Sequence, residues 1–279
     1  MVLNDNILSS YSKFIDFEEE NSSIDEFKSV LEYGIQIIME HLNMNFNYEI
    51  GVFGAYNLNT LATQFEPISF YIKIFDIQIY DNIIKNENVK SKNKKAKYIT
   101  TDSIKMLLAI YLDKYFDENG SVNIARNSII IDCYHNYGFN SRIYIFASNF
   151  ENCIMLDTNN SKLLEVNIEN FESLFLKKAQ ETNYEIVRVV NIVKNLCQKT
   201  NVLQEPFLIE TLFYNVPNNY FTGSLREQFI KSLNYINFSN ISNFNSLLND
   251  KKTVSEDFFT CNSIYNIYKE YELLMKTLR

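Results

Sequence analysis

The sequence predicts an α+β fold, with a mixed β-sheet in the first half of the chain and helices alone in the second half. Segments with the two-residue period of a strand occur only before about residue 165, and every segment after it has helical periodicity. Hydrophobic residues make up 46% of the 279 residues, which is enough for a large buried core. The chain has 6 glycines and 3 prolines, too few for a turn-rich all-β fold.

The first half alternates helices and strands. Residues 24–42 place apolar side chains on one helical face, and Ser23 with Glu26 is typical of a capping box at the start of that helix. A short strand in NYEIGVFGAY ends at a glycine, and FYIKIFDIQIY (70–80) alternates as a second strand. A helix over 101–116, with Thr101 or Asp102 as its cap, precedes strands in NSIIIDCYH, NSRIYIFAS and ENCIMLDT.

The second half is predicted to be helical throughout. A long stretch, 170–200, forms either one helix or two helices broken near Asn183. A further helix covers 205–216, and two more are predicted in LREQFIKSLNYI and near the C-terminal end of the sequence. Glu210 lies in the apolar segment FLIETLF, so we expect its carboxylate to be paired with a lysine or with a helix terminus of the other lobe.

Charge and cysteine content limit the function classes. The formal net charge of −8 argues against non-specific duplex binding, which depends on neutralising phosphates. Six lysines in 85–97 favour a solvated loop, with the lip of a polyphosphate or nucleic-acid channel as the alternative. The four cysteines lack CxxC spacing and the chain has two histidines, so we expect no structural zinc site. The sequence has no apolar run long enough to span a membrane, and we expect a reduced, cytoplasmic protein.

The order of these segments resembles the nucleotidyltransferase superfamily, in the branch of 2′,5′-oligoadenylate synthetase, cyclic GMP–AMP synthase and their bacterial relatives. That family opens with a strand, a Gly-Ser turn, a threonine and then an Asp-x-Asp strand. Here Gly54, Ala55 and Tyr56 stand at the turn, Thr60 stands near the family threonine, and Glu66-Pro67-Ile68 forms the approach. VRVVNIVKNL resembles the family's spine helix, whose lysine faces the nucleotide, and FLIETLFYNVP resembles a helix of its second lobe.

The resemblance covers residues 25 to 235 and implies a bilobed fold. A nucleotidyltransferase-like lobe would comprise residues 1–165 with the N-terminal helix, and a helical lobe would comprise residues 166–279. The resemblance also implies a nucleotide site built from Gly54, Tyr56, Thr60 and Lys194.

The sequence departs from the family at each position that the chemistry needs. Nucleotidyl transfer uses two Mg²⁺ ions held by three carboxylates on adjacent strands. Ala55 replaces the turn serine, and the Asp-x-Asp positions fall on Phe70 and Ile72, or on Ser69 and Tyr71 in a register one residue earlier. The third acid falls at or next to Ile143, with Phe146 in the place of the family proline. None of these side chains binds Mg²⁺.

Three hypotheses remain open on the sequence alone. The first is a nucleotidyltransferase-like protein that has lost catalysis and needs no metal. It would act by binding a nucleotide or oligonucleotide, or as a protein partner or homo-oligomer. The second is an active, Mg²⁺-dependent enzyme whose acids have moved, with Glu66 and Asp132 as the candidate pair. The third is an interaction or scaffold protein without a nucleotide site.

Overall fold

The computed structural model describes residues 5–13, 21–62, 66–75, 100–117, 120–125, 127–149, 152–157, 162–199, 207–249 and 252–254. The chain packs as two compact units. The sheet unit comprises residues 17–53 and 67–166, and the helical unit comprises residues 1–16, 54–66 and 167–279. The helical unit thus includes an N-terminal segment and residues 54–66, which the predicted division at 165/166 assigns to the first lobe.

The sheet unit contains a seven-stranded mixed sheet. Its strands are β1 (Tyr48–Phe53), β2 (Ile68–Ile74), β3 (Ser121–Ile124), β4 (Ile129–Asp132), β5 (Ser141–Asn149), β6 (Asn152–Asp157) and β7 (Lys162–Val166). The path runs β1-β2-β5-β4-β3, with β6 joining β5 to β7. Only β2 and β5 pair in parallel within the described sheet, and the other neighbours are antiparallel. The α+β class is therefore confirmed.

Helices of the sheet unit cover one face of the sheet. They are α2 (Asn21–Leu42), α3 (Thr101–Phe116) and the single turn α4 (Tyr134–Tyr137). The ring of Phe27 in α2 lies 4.8 Å from that of Phe70 in β2, centroid to centroid. Because side chains alternate across a strand, this contact fixes which residues of β2 face the helices.

Helices form the core of the other unit. They are α1 (Asp5–Tyr11), α5 (Ile168–Glu181), α6 (Glu185–Lys199), α7 (Leu208–Tyr214) and α8 (Leu225–Phe238). Fully buried side chains from all five of them share one apolar cluster, among them Leu8, Phe171, Ile192, Leu212 and Phe229. The predicted break near Asn183 is confirmed: Asn183 and Tyr184 have φ of 50° and 62°, which ends α5 and re-aims the chain into α6.

Some element boundaries were predicted wrongly. Helix α2 begins at Asn21, so Ser23 lies inside the helix and does not cap it. The cap of α3 is Thr100, whose side chain accepts a hydrogen bond from the Ser103 amide. β2 begins at Ile68 and ends at Ile74. The lysine-rich stretch 85–97 and the predicted C-terminal helix lie outside the described residues, apart from the helix-assigned Val254.

Candidate nucleotide site

The turn that begins at Gly54 lies in the helical unit. Gly54 has φ of +78°, and a Cβ added to it would lie 2.3 Å from Cε1 of Phe207. Only glycine fits this position, since the left-handed backbone and the ring both exclude a side chain. Backbone hydrogen bonds from Leu58 to Gly54 and from Thr60 to Ala55 close the turn. The glycine that the sequence singled out thus shapes a tight turn, with Ala55 buried beside it.

A carboxylate from helix α5 accepts a hydrogen bond from a backbone amide of this turn. Oε1 of Glu172, in the first turns of α5, accepts hydrogen bonds from the Gly54 amide at 2.8 Å and from Nδ2 of Asn57 at 2.9 Å. Burial raises the pKa of Glu172, while these two donors act to lower it. Backbone amides in such turns are the groups that cradle phosphates in phosphate-binding loops. Here the Gly54 amide is already hydrogen-bonded to the Glu172 carboxylate of the protein itself. Tyr56 lies half-buried in the same turn.

Four of the residues selected from the sequence meet in one cluster, which we call the Lys194 cluster: Thr60, Glu66, Lys194 and Glu210. Nζ of Lys194 lies 2.7 Å from Oε1 of Glu66 and 3.0 Å from the Thr60 carbonyl, and it also contacts Oε1 of Glu210. The Thr60 hydroxyl donates to Oε1 of Glu210 at 2.8 Å. The expected partner of Glu210 is therefore a lysine, but one in its own unit.

Lys194 has no donor left for a ligand in this arrangement. An ammonium group has three N–H donors, and Glu66, Glu210 and the Thr60 carbonyl use them all. The pKa of Lys194 is raised: burial alone would lower it, but the Glu210 and Glu66 carboxylates together outweigh burial. A phosphate would have to displace one of these partners before it could bind Lys194.

The cluster holds two carboxylates for one lysine. Burial raises the pKa of Glu66, and the charge of Glu210 adds to this effect, while Lys194 and the Ala62 amide oppose it. Oε2 of Glu210 is buried without a hydrogen-bond partner among the described residues. Glu66 is thus engaged in an ion pair, which leaves it poorly placed to serve as a metal ligand.

The strands that the resemblance predicts to be metal-binding are β2 and β5, which lie side by side. Phe70 is aligned with Ile143 and Ile72 with Ile145, and these side chains face the helices with at most 3% exposure. On the opposite face, the ring of Phe53 contacts those of Tyr71, Tyr144 and Phe146. Ser69 and Tyr71, the Asp-x-Asp positions in the earlier of the two registers, lie on this opposite face. Phe70, Ile72 and Ile143 face the helices and belong to the core.

On the face away from the helices, one row of residues crosses four strands. Phe53 is aligned with Ser69, Ser69 with Arg142, and Arg142 with Ile130. Arg142 therefore stands beside the first Asp-x-Asp position of this register. The third acid is predicted at or next to Ile143, and the neighbouring residue on this face, Arg142, is basic.

Asp132, the second of the two candidate acids for an active enzyme, is exposed at the end of β4. Strand parity places it on the face that carries Ile130 and Arg142, which the sequence left open. No three His, Cys, Asp or Glu side chains come together as a possible metal site in the part of the chain that the structure describes. The residues on β2 and β5 do not fit the two Mg²⁺ ions of the family.

Sequence reasoning missed Glu172 and Arg142. Glu172 lies 118 residues from Gly54 in the sequence, and its helix has no motif that marks the contact. Arg142 had a signal: it is a charged residue at the second position of an otherwise apolar and small-residue strand, SRIYIFAS. Its position beside Ser69 depends on strand register, which is known only from the pairing of β5 with β2.

The mixed sheet, the glycine turn after β1 and the helical unit together define a nucleotidyltransferase-like fold. Residues 174–271 match the family model for the C-terminal helical domain of cGAS/DncV-like nucleotidyltransferases. The predicted resemblance to the bacterial members of this branch is thereby confirmed. No curated protein matches this sequence.

Solved structures share the fold along nearly the whole chain. The Rhodothermus marinus CdnE c-UMP-AMP synthase, solved with Apcpp and Upnpp, has a TM-score of 0.66 and 12% identity, covering 99% of this chain and 97% of its own. The Elizabethkingia meningoseptica CdnE cyclic dinucleotide synthase, solved with GTP and Apcpp, has a TM-score of 0.66, 16% identity and coverages of 98% and 99%. CdnC of E. coli MS115-1, solved in complex with HORMA-deltaN, has a TM-score of 0.61, 11% identity and coverages of 94% and 85%. At these identities the likeness shows the fold alone.

No helix in the part of the chain that the structure describes is both long and apolar enough to cross a bilayer.

Proposed function

We propose that this protein is a nucleotidyltransferase-like protein without nucleotidyl-transfer activity, which acts by binding a nucleotide or oligonucleotide. One observation carries the proposal. Neither β2 nor β5 contains an aspartate or glutamate at any position, so no choice of register supplies the metal-binding acids. Hard cations such as Mg²⁺ need carboxylate and other oxygen ligands, and without them the triphosphate is not activated.

The relocated-acid alternative has weaker support. Glu66 would have to leave the Lys194 ion pair before it could bind a metal, which would leave Lys194 and Glu210 only partly matched in a buried place. Asp132 is exposed and shares the sheet face of Arg142, so it is the better placed of the two candidates. It would still need a second carboxylate from outside β2 and β5.

The ligand class rests on the fold. Two synthases of this fold were solved with nucleotides or their analogues, which supports a nucleotide as the ligand here. A protein of the same fold was solved bound to a HORMA protein, and this supports a protein partner as the second mode of action. A cytoplasmic location, where nucleotides are abundant, is part of the proposal.

An incorporation assay tests the loss of catalysis. The protein is incubated with each labelled nucleoside triphosphate, singly and mixed, with Mg²⁺ or Mn²⁺, beside the Rhodothermus marinus synthase as a positive control. We expect no labelled product from this protein. Product that disappears in Asp132→Asn or Glu66→Gln would establish the active alternative instead.

Calorimetric titration tests the binding role. Wild-type protein is titrated with the four nucleoside triphosphates and with cyclic oligonucleotides, and we expect at least one of them to bind. If none binds while the incorporation assay is also negative, only the scaffold hypothesis remains.

A further inference from the structure

Arg142 is a cation without a partner among the residues that the structure describes. Among the arginines that the structure describes, Arg188 pairs with Glu185 at 2.7 Å and Arg226 has an interaction of its own. Arg142 has no ion pair or hydrogen bond from its side chain to the described residues, and its Nε is buried. An unmatched buried N–H of a charged group is costly, because the solvation it loses is not replaced.

No acid whose side chain the structure describes matches this guanidinium on the same sheet face. β2 and β5 carry none. Glu49 of β1 lies in a different row of the sheet, and its Oε1 accepts a hydrogen bond from the Tyr71 hydroxyl at 2.6 Å. Asp132 lies one row further along β4, beyond Ile130, and is exposed. Ser69, a residue with a hydroxyl donor, is the direct neighbour of Arg142 on β2.

We propose that Arg142, with Ser69, binds a phosphate group of the ligand without any metal ion. The proposal rests on the nucleotide-binding function proposed above and names how the phosphate is held. A guanidinium presents its donors in a rigid fork that matches phosphate oxygens bidentately. It places a fixed positive charge beside the first Asp-x-Asp position, where the family uses carboxylate-bound Mg²⁺, and phosphate binding thereby becomes independent of divalent cations.

The test is titration in the presence of EDTA. Wild-type protein is titrated with non-hydrolysable ATP and GTP analogues and with inorganic triphosphate, each with Mg²⁺ and with EDTA. We expect binding to persist in EDTA within about threefold of its value in Mg²⁺. Arg142→Gln should weaken it at least tenfold, since a charge-assisted contact is lost. Arg142→Lys keeps the charge but not the fork and should be intermediate.

Two controls keep the result interpretable. Arg188→Gln removes one arginine of equal charge from the helical unit and should bind like wild type. Arg142→Met removes the unmatched charge while keeping length, so the ligand-free variant should unfold at the same temperature as wild type or higher. Inorganic triphosphate should raise the unfolding temperature of wild type and leave that of Arg142→Met unchanged.

The failures of the two proposals are distinguishable. Nucleotide binding that requires Mg²⁺, or that is unchanged in Arg142→Gln, overturns the Arg142 site and leaves the binding function standing. Binding of inorganic triphosphate that depends on Arg142, without nucleotide binding, supports the site and overturns the nucleotide function. Absence of all binding overturns both.

Discussion

In the helical unit a buried lysine, Lys194, meets two carboxylates and a carbonyl, whereas in the sheet unit Arg142 meets no acid among the described residues. The same contrast holds for the acids. β2 and β5 contain none, while the helical unit pairs Glu66 and Glu210 with Lys194 and places Glu172 on the Gly54 amide. A cation whose donors are all matched inside the protein stabilises one conformation, while a cation with unmatched donors can still bind a ligand.

Lys194 and Arg142 differ in whether the protein itself satisfies their hydrogen-bond donors. The Lys194 cluster contains a lysine that the family resemblance assigned to the nucleotide, yet its three donors are satisfied within the protein. Arg142 was not selected from the sequence, yet it retains its hydrogen-bonding capacity. Among the described residues, Arg142 thus has donors left for a ligand and Lys194 does not.

Breaking the Lys194 cluster should give the largest effect. Lys194→Met leaves two carboxylates in a buried place without their cation, so we expect the free energy of unfolding to fall by about 3–5 kcal/mol. Urea unfolding followed by circular dichroism measures it. Arg188→Met is the matched control on the same helix, because its more exposed pair with Glu185 contributes less than about 0.5 kcal/mol. Equal losses in the two variants would contradict a structural role for the cluster.

Gly54→Ala should have the second largest effect. A left-handed backbone costs an L-residue about 1–2 kcal/mol, and overpacking against Phe207 adds about 1–3 kcal/mol, so we expect a loss of roughly 3 kcal/mol in all. Phe207→Leu in the same chain should recover the steric part only. A double variant as unstable as the sum of the two single ones would show that the ring and the glycine do not interact.

Much of the fold could be predicted because its signals are local. Helical periodicity gave the helices of both units, and the left-handed Asn183 marks a break that its sequence already indicated. The short elements α1, β3 and β7 were missed, since four to seven residues carry too little periodicity. The partner of Glu210 was predicted in kind, because a carboxylate on an apolar helix needs one.

The candidate site was less predictable, because it depends on strand register. In β2 three successive residues, Ile68, Ser69 and Phe70, are all buried, so hydrophobicity alone does not tell one face from the other. The contact of Phe70 with Phe27 decides it. The partner of the Gly54 amide likewise lies 118 residues away, beyond any local pattern.

Removing the Glu172 carboxylate tests how much its hydrogen bonds to the Gly54 turn contribute to stability. Glu172→Ala leaves the Gly54 amide and Asn57 without their acceptor, so we expect the free energy of unfolding to fall by about 1.5–3 kcal/mol. Glu169→Ala, an exposed residue in the first turn of the same helix, controls for helix propensity and the helix dipole. If the freed amide then binds inorganic triphosphate, the affinity of Glu172→Ala for it should exceed that of wild type. An unchanged affinity would limit Glu172 to a structural role.

The pH dependence of stability should give the smallest and most specific effect. The pKa of Glu66 is raised above 4.5 in the folded protein, chiefly by burial, so the folded state holds a proton there that the unfolded state has already lost. The stability from this proton is fully present below pH 4.5 and is lost as the pH rises through the raised pKa, with a slope of at most about 1.4 kcal/mol per pH unit. Glu66→Gln has no such proton and should lack this slope. The difference in unfolding free energy between wild type and Glu66→Gln, measured in urea at a series of pH values, should therefore fall with rising pH. A difference that grows instead would mean that Lys194 outweighs burial and that the Glu66 carboxylate is the stable form in the folded protein.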